Sequence, residues 1–287
     1  MTFASLKSAA ALFLSISACA TAIAAQPFLG AAQGFAALAG TTLTNTGQTT
    51  IHGDIGTAPG TAITGLASIT LNGATHHNDA VARQAQIDAL SAYDFLLDQP
   101  FSADLTGFDL GTVGALQPGV YNFNSSAQLT GTLTLDAGND PNALFIFKIG
   151  SSLTAASNSF VNVLNGGANT GVYFQVGSSV TLGTGTSFAG NILANQSITL
   201  ATGAGVFGGR LLALHGAVTL DGNTISNDCS NSSCANRSDD GSMGYAGGFA
   251  TAAVPEPRTY EVMLSGLLLL GFLTAKRHML KRALPEA

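Results

Sequence analysis

The sequence predicts a mainly β protein, a three-sided β-solenoid with one long α-helix packed along one side. Three observations predict this fold class. A short pattern of a polar residue, an aliphatic residue and threonine recurs along the chain. Three of its threonines, Thr181, Thr199 and Thr219, lie 18 and 20 residues apart, a spacing that suits one coil of a three-sided solenoid. One segment, residues 76–99, has the periodicity of an amphipathic helix.

The composition agrees with a β architecture and excludes one class of partner. Only 9% of the 287 residues are charged, against about a quarter in an ordinary globular domain. The 35 glycines and the many small polar residues are typical of short strands joined by tight turns. The net charge is −6 and no basic stripe is visible. A nucleic-acid partner is therefore not expected, because binding phosphates needs clustered lysine and arginine.

The recurring pattern predicts strands with one buried face. Alternation along a strand places the aliphatic residue inward and both of its neighbours outward. Stacked coils would then bury a column of Leu, Ile and Val and display a ladder of Ser and Thr. The pattern occurs at Thr42-Leu43-Thr44, Ser68-Ile69-Thr70, Gln128-Leu129-Thr130, Ser152-Leu153-Thr154, Ser179-Val180-Thr181, Ser197-Ile198-Thr199 and Ala217-Val218-Thr219.

A second group of segments is apolar at nearly every position, so both of its faces must be covered. These segments are residues 144–149, 172–176, 191–194 and 210–214. The helix predicted at residues 76–99 supplies the cover. Asn78 or Asp79 can cap its start and Pro100 ends it. Its predicted apolar face consists of Ala82, Ala85, Ala89, Leu90, Ala92, Tyr93, Leu96 and Leu97.

The first 25 residues are predicted to be a secretory signal peptide. They contain Lys7, an apolar run and a small-residue stretch with an A-x-A cleavage pattern at Ala22-Ile23-Ala24. The run is too short to span a membrane. An alternative is a lipidated Cys19, because Ile16-Ser17-Ala18-Cys19 resembles a bacterial lipobox.

Residues 254–287 have three parts: a Pro255-Glu256-Pro257 turn precedes an uncharged run at residues 262–275 and a basic cluster at residues 276–282. In this order the three parts resemble the PEP-CTERM sorting signal of Gram-negative bacteria. The resemblance implies recognition by a membrane-bound exosortase, with the protein released or attached at the cell surface. The run of 14 residues is marginal for crossing a bilayer. A permanent single-span tail anchor is the alternative.

Residues 228–253 are predicted to form a flexible linker, because they are rich in Gly, Ser, Asn and Ala. At the start of this stretch, Cys229 and Cys234 are candidates for a local disulfide in an exported chain. The remaining residues, 26–227, form the predicted solenoid domain.

A series of short segments spans nearly the whole of this domain: residues 29–32, 35–40, 44–47, 52–56, 59–65, 118–121, 129–136, 140–147, 175–179, 190–194 and 216–221. In these segments the chain resembles the bacterial and fungal ice-binding-like family. This resemblance implies a discontinuous, right-handed β-solenoid with a long helix along one side, and it implies ice as the ligand.

An ice-binding surface must be flat, rigid, uncharged and partly apolar. Threonine offers a methyl group that orders water and a hydroxyl that joins it. Strands about 4.7–4.9 Å apart repeat at a distance similar to one in the ice lattice. The predicted ice-binding residues of the strands are Ser152, Thr154, Ser179, Thr181, Ser197, Thr199 and Thr219. A solvated face that binds nothing would look similar, because threonine simply favours strands.

Three corner segments resemble the Thr-Ala/Gly-x-Thr/Asn ice-contact motif of some family members. They are residues 154–157, 184–187 and 202–205, and each departs from the motif at its fourth position. They add Thr184, Thr186, Ser187 and Thr202 to the candidates, and leave open which face meets ice.

No catalytic constellation is visible, so we do not predict an enzyme, and we expect no cofactor and no metal site. The histidines are scattered, and His76-His77 suits a helix start better than a metal site. The prediction is an exported, monomeric ice-binding protein, secreted or held at the outer cell surface. The alternative is a non-catalytic solenoid of the cell surface or exopolysaccharide matrix that does not bind ice.

Overall fold

The computed structural model describes residues 28–229 and 245–247. Three parallel sheets form the sides of a prism, and each coil contributes one strand to each sheet in turn. One α-helix, α1 (Ala80–Leu97), packs against one sheet. The predicted fold class, a mainly β solenoid with a helix along one side, is confirmed.

Face A is the sheet that lies under the helix. Its nine strands, in spatial order, are β7 (Thr75–His77), β4 (Asp54–Thr57), β1 (Phe35–Ala39), β22 (Leu211–Ala213), β19 (Asn191–Ala194), β16 (Gly171–Val176), β13 (Leu144–Ile149), β10 (Gly119–Phe123) and β8 (Ala103–Asp104).

Face B carries most of the recurring threonine pattern. Its seven strands, in spatial order, are β11 (Ala127–Leu129), β14 (Leu153–Ala155), β17 (Val180–Leu182), β20 (Ile198–Leu200), β23 (Val218–Asp221), β2 (Thr42–Thr46) and β5 (Ala62–Thr64).

Face C closes the prism with eight strands. In spatial order they are β6 (Ile69–Asn72), β3 (Thr49–His52), β24 (Thr224–Ser226), β21 (Gly205–Phe207), β18 (Ser187–Ala189), β15 (Phe160–Leu164), β12 (Thr132–Asp136) and β9 (Ala115–Leu116). Short 3-10 turns lie at Gly30–Gly34 and Leu66–Ser68.

The coils do not stack in chain order. Strands β1, β2 and β3 pair in parallel with β22, β23 and β24, so the first coils continue the stack beyond the last one. The chain then returns to the opposite end of face A through α1. The helix is about 27 Å long, and nine strands span roughly 38 Å, so short flanking segments complete the return. This arrangement covers the edges that the last coil would otherwise expose.

The prism is filled by aliphatic side chains and by an aromatic stack. The inward rings of Tyr121, Phe147 and Phe174 follow one another on β10, β13 and β16, with centroids 5.4 and 4.6 Å apart. Phe188 of face C lies 4.7 Å from Phe174. Stacked coils thus place like residues above one another, which packs the core continuously along the axis.

The outward residues of face A explain why its segments are apolar on both sides. Ile146, Tyr173, Leu193 and Leu212 form a second cluster with the alanines of α1. Alanine allows the helix to approach the sheet closely. The prediction that α1 covers these strands is confirmed.

The helix is shorter than predicted and buries a narrower face. Asp79 is the N-cap, and its carboxylate accepts a hydrogen bond from the Ala82 N–H at 2.8 Å. Residues 76 and 77 belong to β7 instead, where Thr75–His77 pairs with β4. Leu90 and Leu97 are 41% and 47% exposed, so their assignment to the buried face is wrong.

Part of the predicted linker belongs to the fold. Tyr245 is 3% exposed, its N–H donates to the Gly208 carbonyl at 2.7 Å, and its carbonyl accepts from the Val172 N–H at 3.0 Å. Ala246 forms an antiparallel bridge with Gly171. The prediction of a linker over residues 228–253 is therefore wrong for residues 245–247, because the buried ring and these backbone hydrogen bonds bring them back to the solenoid.

We expect Tyr245→Ala to lower the free energy of unfolding by about 3–4 kcal/mol, the usual cost of removing a buried aromatic ring. The backbone hydrogen bonds of residue 245 do not depend on its side chain, so the loss reports on the ring. Urea unfolding followed by circular dichroism measures it, with Tyr245→Phe as the matched control. A loss below about 1 kcal/mol would contradict the buried position of the ring.

Several predicted features lie outside the described residues: the signal peptide (1–25) with Cys19, the apolar run 262–275 and the remainder of the sorting signal (254–287), and Cys234. Cys229 is buried and disulfide-bonded, and Cys234 remains its predicted partner. Within residues 28–229 and 245–247, no helix combines the length and apolarity that crossing a membrane requires.

Turn hydrogen bonds lower the pKa of four aspartates in the solenoid. The Thr106 hydroxyl stabilises the carboxylate of Asp104, the Asn165 amide stabilises that of Asp136, and the Ala82 N–H stabilises that of Asp79. Burial raises the pKa of Asp109, but hydrogen bonds from Thr130 and Gly111 outweigh burial. Each of the four aspartates has a pKa below the ordinary value of 3.8.

Because these pKa values are lower in the folded state, the unfolded chain binds more protons as the pH falls through about 4, and folding stability falls with it. We expect the melting temperature to be nearly constant from about pH 7 to about pH 5 and to drop below about pH 4. Thermal unfolding followed by circular dichroism checks this. An equal melting temperature at neutral and strongly acidic pH would contradict it.

Candidate functional site

A row of six threonines crosses face B. Parallel pairing without register shifts places Thr154 opposite Thr181, Thr181 opposite Thr199, and Thr199 opposite Thr219. The row continues through Thr44 and Thr64 of the first coils. Each of the six threonines is exposed or half-exposed. Thr154, Thr181, Thr199 and Thr219 lie between two inward aliphatic residues, whereas Thr44 and Thr64 follow one, Leu43 and Ile63. The predicted alternation of inward aliphatic and outward threonine is confirmed.

The row is long and regular. Six strands at about 4.8 Å spacing make it roughly 24 Å long. Gln128 lies in register beyond Thr154 and ends the row. Because every strand contributes the same short, β-branched side chain at the same position, the methyl groups and hydroxyls form a flat surface.

A second row precedes the threonines by two residues on the same face. Its members are Ser152, Ser179 and Ser197, followed by Ala217. The Ser179 hydroxyl oxygen accepts from the Ser197 N–H at 3.3 Å, and that of Ser197 accepts from the Ala217 N–H at 3.1 Å. Ser179 and Ser197 therefore tie consecutive coils together, and each of these two hydroxyls accepts with its oxygen and still has its own hydrogen to donate.

Neither row carries a charged residue, and one carboxylate, at the end of strand β23, is held by hydrogen bonds from two hydroxyls. Asp221, the last residue of β23, accepts from the Thr46 hydroxyl at 3.1 Å and from the Thr202 hydroxyl. Thr202 is exposed, but its hydroxyl already donates a hydrogen bond to the Asp221 carboxylate. Asp221 thus marks the border of the uncharged surface.

Two corner candidates do not join this surface. Thr186 is 1% exposed, and its hydroxyl donates to the Ala156 carbonyl at 3.0 Å. Its prediction as a contact residue is wrong, because a buried side chain cannot reach an external ligand. Ser187 begins β18 and so lies on face C. Thr184 is exposed in the turn between faces B and C.

Sequence reasoning placed Thr44 in the recurring pattern but not among the ice-binding residues, missed Thr64, and misplaced one repeat. Ala62-Ile63-Thr64 has the same alternation as the other face B strands, and this signal could have identified it. The pattern at residues 68–70 belongs instead to face C, where β6 pairs with β3.

The other two faces do not offer a comparable surface. Face A is covered by α1. On face C, the row in register runs through Thr132, Phe160, Ser187, Gly205, Thr224, Thr50 and Thr70. These side chains range from glycine to phenylalanine, so the face is uneven. Face B is therefore the face that α1 leaves open and that carries a uniform row of side chains.

The chemistry available on face B is hydrogen bonding by hydroxyls and van der Waals contact by methyl groups. Among residues 28–229 and 245–247, no group of three or more His, Cys, Asp or Glu is placed to hold a metal ion. His76 contacts the helix cap, with its Nδ1 2.7 Å from Asp79 Oδ2.

The sequence profile of the ice-binding-like family matches residues 37–226. The chain belongs to the ice-binding-like family. An ice-binding protein of Nostoc sp. (strain HG1) is 49% identical over 250 residues, which cover 87% of each chain. Among ice-binding-like relatives with solved structures, an ice-binding protein from an Antarctic biological consortium superimposes with a TM-score of 0.67. It has 38% identity over 78% of this chain and 96% of that one.

A second solved relative comes from the Antarctic ascomycete Antarctomyces psychrotrophicus. This ice-binding protein superimposes with a TM-score of 0.66 and is 37% identical, over 69% of this chain and 96% of that one. The ice-binding-like resemblance predicted for the solenoid domain is confirmed.

Proposed function

We propose that this protein binds ice through face B and acts by adsorption, without catalysis. The observation that carries the proposal is the register of the six threonines across consecutive strands. The names of its relatives, all ice-binding proteins, support it. The contact residues are Thr154, Thr181, Thr199 and Thr219 with Thr44 and Thr64, flanked by Ser152, Ser179 and Ser197, with Thr184 at the edge.

The physical reason is that the ligand is a lattice of water rather than a molecule with a charge. Coils that repeat at about 4.8 Å hold hydroxyls at a regular spacing, so ordered water can join several of them at once. The methyl groups between them are poor partners for liquid water. Charged groups would bind their own hydration shells, and the two rows contain none.

We further propose that residues 1–25 direct export of the protein and are then cleaved off. An exosortase-type system would recognise residues 254–287 and sort the exported protein. Its place of action is then outside the cell, either free or at the outer surface. The disulfide bond of the buried Cys229 supports an oxidising compartment.

Fluorescently labelled protein tests the ice-binding proposal directly. We expect the label to coat a growing ice crystal and to remain there after the surrounding solution is exchanged. An ice crystal that acquires no fluorescence would overturn the proposal that the protein binds ice. Retention on purified exopolysaccharide, without any on ice, would favour a matrix solenoid instead.

A further inference from the structure

The edge between face C and face A is the part of the prism farthest from the threonine row. Each coil crosses face A, then face B, then face C. In a three-sided section, the edge where face C meets face A therefore lies opposite face B. We call this the rear edge; it is lined by the residues that begin the strands of face A, such as Gly171 and Asn191.

The chain enters the described fold at the rear edge. Residues 28–34 precede β1, the first strand of face A. The Asn227 side-chain amide donates to the Gly34 carbonyl at 2.9 Å, which joins this segment to the residues after β24. The start of the first coil and the end of the last one thus meet at the same edge.

The chain also leaves the described fold at the rear edge. Tyr245 bonds to Gly208 and Val172, and its carbonyl accepts a further hydrogen bond from the Asn191 side chain. The Tyr173 hydroxyl donates to the Gly247 carbonyl at 3.3 Å. Four hydrogen bonds and a buried ring therefore fasten residues 245–247 to β16, to β19 and to the turn before β22.

We propose that the solenoid is attached to another body through the chain that follows Gly247. Face B then points away from the attachment, so that the solenoid fastens that body to ice. This inference rests on the proposed function. A body held at the rear edge lies on the far side of the prism from face B. A pull on residues after 247 acts on several coils at once through residues 245–247.

The test compares beads attached at three points of the full chain. A biotin acceptor peptide is placed after Ala287, in the rear-edge turn between Gly138 and Asn139, or in the turn between Thr202 and Gly203, where faces B and C meet. Both glycines are exposed and have positive φ values of 62° and 71°. All three proteins are first checked, without beads, for folding by circular dichroism and for coating of ice.

We expect beads attached after Ala287 or at Gly138 to be captured by a growing ice surface. Beads attached at Gly203 should be captured at least about tenfold less, because the attachment geometry forbids contact. Equal capture from all three positions would overturn the orientation. So would loss of capture at both rear positions while the free proteins still coat ice. If no free protein coats ice, the proposed function itself fails, and the two failures are thereby distinguished.

Discussion

Replacing both Thr181 and Thr199 by tyrosine is expected to reduce thermal hysteresis by about tenfold or more, because contacts at the centre of an interface carry most of its binding energy. These residues are adjacent members of the row and pair directly. A tyrosine ring stands several ångströms above the threonine methyl groups. It would hold the rest of the row away from the lattice. A nanolitre osmometer measures the effect at matched protein concentration.

The matched control is Thr132→Tyr. Thr132 is an exposed, outward threonine of face C, so the same ring is added to a strand that does not belong to the proposed surface. We expect its thermal hysteresis and its melting temperature to equal those of the unchanged protein. Full activity of the Thr181→Tyr, Thr199→Tyr protein would reject face B. Loss in the control alone would move the site to face C.

Phe174→Ala should give the largest loss of stability, about 3–5 kcal/mol in the free energy of unfolding. The ring is fully buried and lies between Phe147 and Phe188, at centroid distances of 4.6 and 4.7 Å. Its removal leaves a cavity that parallel coils cannot close, because their backbones are held by hydrogen bonds on both sides. Guanidinium chloride unfolding measures the loss.

Phe174→Leu is the control for this cavity. It keeps the position apolar and most of its volume, so we expect a clearly smaller loss of stability. Because each coil is stabilised by its neighbours, the alanine variant should weaken the coils on either side as well. Equal stability of the alanine variant and the unchanged protein would contradict the observed stack.

Local periodicity explains why most elements could be predicted. Leu153, Val180 and Ile198 alternate with polar residues, so their inward direction follows from the period of a strand alone. The alanine face of α1 follows in the same way from the period of a helix. Leu90 and Leu97 were misassigned because the width of the buried helix face depends on which residues of face A lie beneath it, and a helical period does not contain that information.

The candidate site was predicted in part for a related reason. Thr181, Thr199 and Thr219 lie in consecutive coils of nearly equal length, so their alignment follows from counting residues. Thr186 is also a threonine in a turn, yet its hydroxyl lies inside the fold, where it donates a hydrogen bond to the Ala156 carbonyl. Composition and motif similarity do not separate an inward turn residue from an outward one.

By itself, the sequence determined the coil length, the inward aliphatic columns, the single helix and the uncharged character of the threonine strands, because these properties are encoded by neighbouring residues. Tertiary structure alone decided that the first coils extend the row, since Thr46 and Asp221 meet across 175 residues of chain. It also decided which face stays uncovered and that Tyr245 returns to the rear edge. Such contacts depend on which coils stack on one another, and that choice is made by the packing of the whole solenoid.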